Sequence, residues 1–209
     1  MGLNKNDDNK NYVSILGSDA TLRITVTPET PGAVKREYET SDGTKGVKHE
    51  LVFNDLTGKI TGVKFYDGDF GKLVQLDVTD DTGTLTLSVN TAQNYGEDIL
   101  KKLPNIDFSK EVKFAPYAFV DEQGKSKKGV TIYQDENKVQ SAFYDPIAKK
   151  NILGYPDPKP TKNDKPRSKD DWKIYFLEAR QFLVEYTEEK IMPKFETLED
   201  FINADEIKM

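Results

Sequence analysis

Residues 70–89, FGKLVQLDVTDDTGTLTLSV, decide how the fold of this chain is predicted. In the second half of this stretch Leu85, Leu87 and Val89 share one face, and the polar residues between them share the other. This period-two alternation is typical of a half-buried antiparallel strand. Residues 80–83, Asp-Asp-Thr-Gly, have the composition of a tight hairpin turn after the preceding strand at 70–78. We therefore expect a β-hairpin at the centre of a mainly β protein.

Strand patterns also flank this hairpin. Residues 48–54 and 59–66 precede it, with a bend at Thr57-Gly58, and the strands predicted after it are 111–120, 129–134 and 138–144. Between the two groups, residues 91–103 have helical spacing that Pro104 ends. If 59–66 continues the strand at 48–54 past the bend, and 138–144 is a further strand, the order is three strands, a short helix and two strands. This is the chain order of the OB fold, a five-stranded Greek-key barrel with a helix between strands three and four. The sequence therefore predicts this barrel.

The predicted domain organisation has four segments. Residues 1–46 are a polar, turn-rich extension with one strand at 22–26, and residues 47–144 form the barrel. Residues 145–171 are a linker rich in proline and lysine. Residues 172–209 begin with a helix that runs to about Ile191, with Asp170 and Asp171 as predicted N-terminal caps and Pro193 at its end. An acidic tail follows this helix.

Composition limits the classes of protein to which the chain can belong. Its 209 residues contain no cysteine, which excludes disulfides and thiolate metal sites and fits a reducing compartment. The polar beginning of the sequence resembles no signal peptide, and no apolar run is long enough to span a bilayer, so we expect a cytoplasmic protein with no membrane partner. A net charge of −6 argues against a histone-like basic protein.

Several short strings resemble catalytic motifs without completing them. Asp81-Thr82-Gly83 matches the aspartic-protease triplet but lies in a predicted hairpin turn. His49 is the only histidine, so no Ser-His-Asp triad or histidine metal cluster forms within one chain. Acidic pairs in turns, such as Asp67 and Asp69, are usually solvated rather than metal-bound. We predict no enzymatic activity, no catalytic residue, no metal and no cofactor.

Strand alternation predicts which side chains point away from the core. The inward set is Ile60, Val63, Phe65, Val74, Leu76, Leu85, Leu87, Val112, Phe114, Val130 and Ile132. The outward set is Lys64, Tyr66, Leu73, Gln75, Lys113, Ala115, Tyr117, Thr131 and Tyr133. Ile60 and Val63 can both point inward only if a β-bulge separates them.

The outward set combines tyrosine with lysine, as a surface that binds single-stranded nucleic acid requires. Bases stack on aromatic rings and phosphates pair with cations, and neither interaction demands fixed spacing in sequence. The predicted nucleic-acid-binding residues are Lys64, Tyr66, Lys72, Gln75, Lys113, Tyr117, Lys125, Lys127, Lys128 and Tyr133. The alternative is that tyrosine and threonine merely suit a pleated surface and that the Lys125–Lys128 loop is only a soluble tip.

Residues 47–144, together with the tail, resemble the single-stranded-DNA-binding proteins that bacteriophages encode. The resemblance lies in the strand order, in the 64–78 hairpin region, in the aromatic strands at 114–119 and 129–133, and in the acidic, aromatic Glu199-Asp200-Phe201. It implies an OB-fold protein in the host cytoplasm that protects transient single strands during replication, recombination or repair. It also implies that the tail recruits replication proteins or competes with DNA for the groove.

Three features depart from that family's simplest pattern: the long basic linker, the apolar helix, and Ile207-Lys208-Met209 after the acidic stretch. The helix can pack on the barrel, cover the groove or form a dimer. Packing on the barrel is favoured because Trp172, Phe176 and Phe182 need burial. The alternative function is a β-rich structural or protein-interaction module, such as a virion or assembly component. The preference between DNA and RNA and the oligomeric state stay open.

Overall fold

The computed structural model describes residues 11–40, 42–159 and 166–196. The longer strands, in chain order, are β1 (Asn11–Leu16), β2 (Thr21–Val26), β3 (Val34–Glu39), β4 (Lys45–Phe53), β5 (Leu56–Gly68), β6 (Gly71–Asp80), β7 (Gly83–Asn90), β8 (Glu111–Val120) and β9 (Ser126–Gln134). Two-residue strands follow at β10 (Asn137–Lys138), β11 (Tyr144–Asp145) and β12 (Lys150–Asn151). The helices are α1 (Asn94–Lys102) and α2 (Lys169–Lys190), followed by 3₁₀ turns at Leu103–Asn105 and Met192–Lys194 respectively. The mainly β class is confirmed.

The prediction of a closed five-stranded OB barrel is wrong. The described residues form an open ten-stranded mixed sheet with the order β10-β9-β8-β5-β6-β7-β1-β2-β4-β3. The elements do follow each other along the chain as expected, with strands β5, β6 and β7 first, then helix α1, then strands β8 and β9. However, β7 pairs in parallel with β1, with Val13 opposite Leu87, instead of closing onto β9. Alternation shows which face of a strand is buried, but it does not show which strand lies beside its edge.

Two strands in the N-terminal region were missed, and one strand was predicted where the chain is irregular. β1 lies in a segment interpreted as polar, and β3 (VKREYE) is rich in charge, as an edge strand is when it resists pairing with other chains. The strand predicted over 138–144 is wrong, because only its two ends form two-residue pairs. Ala142 and Phe143 are buried from a loop between those ends.

One face of the sheet, here called the core face, carries the hydrophobic core. The whole inward set lies on it, and most of its members, including Val74, Leu76 and Phe114, have no or almost no exposed surface. The pairing of β5 with β6 shifts by one residue between Ile60 and Gly62. This bulge turns both Ile60 and Val63 toward the core, which confirms that the two residues need an irregularity between them.

Both helices add their hydrophobic side chains to this core. Tyr95, Ile99 and Leu100 of α1 are buried in it. α1 also lies at the edge of β9, where Asp98 Oδ2 accepts a hydrogen bond of 2.7 Å from the Val130 backbone amide.

α2 packs back on its own chain, as favoured from the sequence. Ala179 and Leu183 are buried, and Phe182 meets the rings of Phe143 and Tyr155 edge-on. The predicted caps need correction: the N-cap is Ser168, which forms a reciprocal capping box with Asp171. Trp172 and Phe176, which were expected to be buried, stay 39 % and 49 % exposed near the start of the helix.

No helix in the described part of the chain is both long and apolar enough to cross a membrane. Glu199, Asp200 and Phe201 of the predicted interaction tail lie outside the described residues.

Candidate nucleic-acid interface

The face of the sheet opposite the core, here called the open face, carries the whole predicted outward set. Strand pairing places Lys64 opposite Gln75 and Lys113 opposite Tyr133, one residue out of phase with the core positions. Tyr66 is 57 % exposed and lies opposite Leu73. The alternation in the sequence therefore assigned these side chains to the correct face.

Aromatic and lysine side chains on the open face follow one line across two strands. The first four residues of β5 pair with the first four of β8, with Thr57 opposite Lys113 and Lys59 opposite Glu111. A line that runs down β5 from Tyr66 therefore continues along β8. We call this line, with its neighbours on β9, the aromatic–lysine track: Tyr66, Lys64, Lys59, Lys113, Tyr133, Tyr117, Phe119 and Lys127.

The middle of the track is a cation–aromatic pair. The Lys113 ammonium lies 5.2 Å from the centre of the Tyr133 ring. At an exposed site such a contact is worth about 0.5–1 kcal/mol. A ligand that offers the ring a base and the ammonium a phosphate can replace this contact at little cost.

Tyr117 and Phe119 form the far end of the track. Their ring centres are 5.8 Å apart, and Phe119 is exposed. Gly129 lies opposite Tyr117, and a Cβ at this glycine would come within 2.6 Å of the Tyr117 hydroxyl, so the glycine makes room for the ring. Partial burial and the nearby Asp98 carboxylate raise the pKa of Tyr117.

Acidic residues pair with two lysines of the track. Lys64 Nζ lies 3.6 Å from Asp77 Oδ2, and Lys127 Nζ lies 3.8 Å from Asp121 Oδ2. Ion pairs of this length between solvated side chains contribute about 0–1 kcal/mol. A phosphate can therefore take the place of either carboxylate.

The structure separates four of the predicted binding residues from this track. Lys72 lies on the core face, 3.7 Å from Asp67 and 3.6 Å from Glu188 of α2. Lys128 also lies on the same side of β9 as the core-facing residues of that strand, and its ammonium donates a hydrogen bond of 2.7 Å to the Gly17 carbonyl.

The other two lie on or beside the open face but are placed differently from the track. Gln75 faces the open side yet is only 7 % exposed. Lys125 lies in the turn between β8 and β9, where its backbone amide donates to Asp121 Oδ1. Strand alternation explains why Lys72 and Lys128 lie on the core side, because each is two residues from a buried valine in its own strand.

The open face also carries aromatic and basic residues that the sequence reasoning left out. Phe119 comes two residues after Tyr117 and shares its face, so the same alternation would have found it. Lys59 was within a predicted strand, and alternation with its neighbour Ile60 would likewise have placed it on the open face. Tyr12, which lies opposite Thr86, had none, because β1 itself was not predicted.

The motifs with catalytic resemblance have structural roles where they are described. Asp80 Oδ1 accepts hydrogen bonds from the Thr82 amide at 2.7 Å and from the Gly83 amide at 3.2 Å, which closes the turn that contains Asp81. The Thr82 side-chain and backbone hydrogen bonds hold the pKa of Asp80 below its usual value. Among the described residues, no group of three or more His, Asp or Glu residues could hold a metal ion.

No protein-family model, curated protein or solved structure matches this chain. The comparisons therefore assign no family, and the resemblance to phage single-stranded-DNA-binding proteins stays a prediction.

Proposed function

We propose that the open face binds single-stranded DNA without preference for sequence and without cleaving it. The observation that carries this proposal is the aromatic–lysine track, which places four aromatic rings and four lysines along one line of the sheet, with the rings of Tyr66 and Phe119 exposed. Proteins that bind single strands combine these two features: rings on which bases stack, and cations that follow the backbone.

Each component of the track has a role in this mode of binding. Bases stack on the exposed rings of Tyr66 and Phe119 and on Tyr133, while phosphates pair with the neighbouring lysines. The β5 part alone extends from Tyr66 to Lys59, about 23 Å at the usual strand rise of ~3.3 Å per residue. Known single-strand sites hold roughly 4–16 nucleotides, and a track of this length suits the lower part of that range.

The acidic net charge of −6 is compatible with this role because the interaction is local. At physiological salt a solvated charge beyond about 8 Å is largely screened. A phosphate on the track therefore responds to the charges beside it, which are the track lysines and the carboxylates of Asp77, Glu111 and Asp121. A protein of this kind protects transient single strands during replication, recombination or repair. Recruitment of replication proteins through Glu199, Asp200 and Phe201 belongs to the same proposal.

The test is a titration of fluorescently labelled oligo-dT and oligo-dA with the full chain at about 50 and 200 mM salt. We expect binding to both oligonucleotides, weaker binding to duplex DNA of the same length, and a steep loss of affinity at the higher salt. Matched RNA oligonucleotides determine whether the 2′-hydroxyl is tolerated. If neither DNA oligonucleotide binds at low salt, the proposal is wrong.

A further inference from the structure

The first half of α2 is apolar on the side that points away from its own core. Ile174 is 53 % exposed and Leu177 is 61 % exposed, whereas Ala179 and Leu183 are buried against the body of the protein. Successive helical residues are about 100° apart, so Leu177 lies about 200° from Ala179 around the helix axis. A helix with apolar residues on two opposite sides is ordinarily covered on both.

The spacing of this outer side is that of a coiled coil. Ile174, Leu177, Gln181 and Val184 follow one another at intervals of three, four and three residues. These are the a, d, a and d positions of two heptads. A single polar residue at an a position, as Gln181 is here, favours one register and one number of strands at some cost in stability.

The charges beside this stripe determine what can cover it. Lys173 and Arg180 occupy the g positions, and Glu178 and Glu185 occupy the e positions. In a parallel pair, each g residue faces the e residue five positions later on the second helix. Lys173 then meets Glu178 of a second copy, and Arg180 meets its Glu185.

An antiparallel pair of the same helices gives the opposite result. It places g beside g and e beside e, so two basic residues meet on one flank and two acidic residues on the other. Like charges at such flanking positions are unfavourable. The charge pattern is therefore complementary to a second copy of this chain in the parallel orientation.

We propose that two copies of the chain associate through this outer side of α2 as a short parallel coiled coil. The helix is already formed by its packing and its capping box, so association does not pay for helix nucleation. Three contacts within the chain rearrange: Glu178 with Lys159, Lys173 with Asp170, and Gln181 with Glu185. All three lie at the surface, where such pairs are worth about 1 kcal/mol or less.

Two heptads bury less than the ~1,200 Å² that stable specific complexes ordinarily bury. The dimer is therefore expected to form and dissociate with protein concentration. Sedimentation equilibrium of the full chain should show a reversible increase from 23.7 kDa toward twice that mass. A chain that stays monomeric up to its solubility limit contradicts the proposal.

Charge reversal tests the pairing itself. The acidic variant carries Lys173→Glu and Arg180→Glu, and the basic variant carries Glu178→Lys and Glu185→Lys. Each alone should be monomeric, because all four flanking positions then have one sign, and an equimolar mixture should again form dimers. If both variants still dimerise alone, or if the mixture stays monomeric, the g-to-e pairing is wrong. Far-ultraviolet circular dichroism checks that each variant is folded.

Cysteine crosslinking tests the orientation. The chain has no cysteine, so a single introduced thiol is unique. In the parallel register each a position meets the same residue of the second copy, so Ile174→Cys and Gln181→Cys should each give a disulfide-linked dimer on mild oxidation. An antiparallel pair brings at most one of these two positions against itself. Crosslinking of only one variant, or of neither, overturns the parallel arrangement.

Discussion

The two faces of the sheet are built from the same strands, yet they differ in almost every property. On the core face Val74, Leu76 and Phe114 have no exposed surface, while one residue away the open face presents Lys64, Tyr66 and Lys113 to solvent. A shift of one residue thus separates side chains that hold the sheet together from side chains that are available to a ligand. The comparison teaches that the position of a residue along a strand, odd or even, assigns its side chain to one face of the sheet.

The largest expected effect is on stability, and it separates two phenylalanines of β8. Phe114→Ala removes a fully buried ring and leaves a cavity, which should lower the free energy of unfolding by about 3–5 kcal/mol. Phe119→Ala, on the open face of the same strand, should change it by about 0.5 kcal/mol or less. Urea unfolding followed by circular dichroism measures both. Equal losses in the two variants would mean that the faces are assigned wrongly.

The next largest effect concerns Glu50 of β4, whose side chain is on the open side of the sheet but is buried, unlike most of its neighbours on that side. Glu50 is only 3 % exposed, and it accepts hydrogen bonds from Arg36 at 2.6 and 2.7 Å and from Arg23 at 2.9 Å. Glu50→Gln removes the carboxylate that Arg36 pairs with and leaves Arg23 with Asp19 alone, so it should cost about 3 kcal/mol. The matched control is Glu39→Gln on the neighbouring strand, whose carboxylate is exposed and 3.9 Å from Lys45. The control should unfold at the wild-type urea concentration.

Glu50 also links stability to pH. The Arg36 hydrogen bonds are the first cause that holds the pKa of Glu50 below its ordinary value of 4.5. A depressed carboxyl pKa contributes stability above the unfolded value, and that contribution is lost as the pH falls from about 4.5 through the folded value. The difference in unfolding free energy between wild type and Glu50→Gln should therefore shrink on acidification. A difference that stays constant from neutral pH to below the folded pKa contradicts this linkage.

A smaller effect tests the binding role of the open face. Tyr66→Ala should weaken single-stranded DNA binding by about 1–3 kcal/mol because one stacking ring is lost. The control is Tyr144→Ala, which removes a ring of similar exposure, 46 % against 57 %, from β11 outside the ten-stranded sheet. Oligo-dT titrations at one salt concentration compare the two variants. Equal affinities for both variants would remove Tyr66 from the interface.

Parity along the strands accounts for how much of the structure the sequence predicts. Hydrophobic alternation identifies β5 to β9 and both faces of the sheet. Ile60 and Val63 cannot both point inward in a regular strand, so the sequence also indicates the bulge in β5. It does not predict the parallel pairing of β1 with β7, because the contacts that decide which edges meet are between residues far apart in sequence. Glu50 shows the same limit, since its burial depends on arginines from two other strands.

The candidate site was predicted only in part, because alternation assigns side chains to a face but does not show contacts between residues far apart in sequence. Tyr66, Lys113 and Tyr133 were placed on one face by alternation, and the structure brings the last two together across β8 and β9. Lys72 was also predicted to bind phosphate, although it lies two residues from the buried Val74 of the same strand and therefore faces the core. Its partner Glu188 comes from α2, more than 100 residues later in the chain, and no local pattern indicates that contact.

The smallest expected effect separates two lysines that were both predicted to bind phosphate. Lys113 lies on the aromatic–lysine track, whereas Lys72 pairs with Asp67 and Glu188 on the core face. The slope of log affinity against log salt is negative, and removing one phosphate contact to a single strand reduces its magnitude by about 0.7. Lys113→Gln should show this decrease in oligo-dT titrations over a series of salt concentrations, and Lys72→Gln should keep the wild-type slope. A shallower slope in Lys72→Gln alone would place the DNA on the helix-covered side, and the open face would then lose its proposed role.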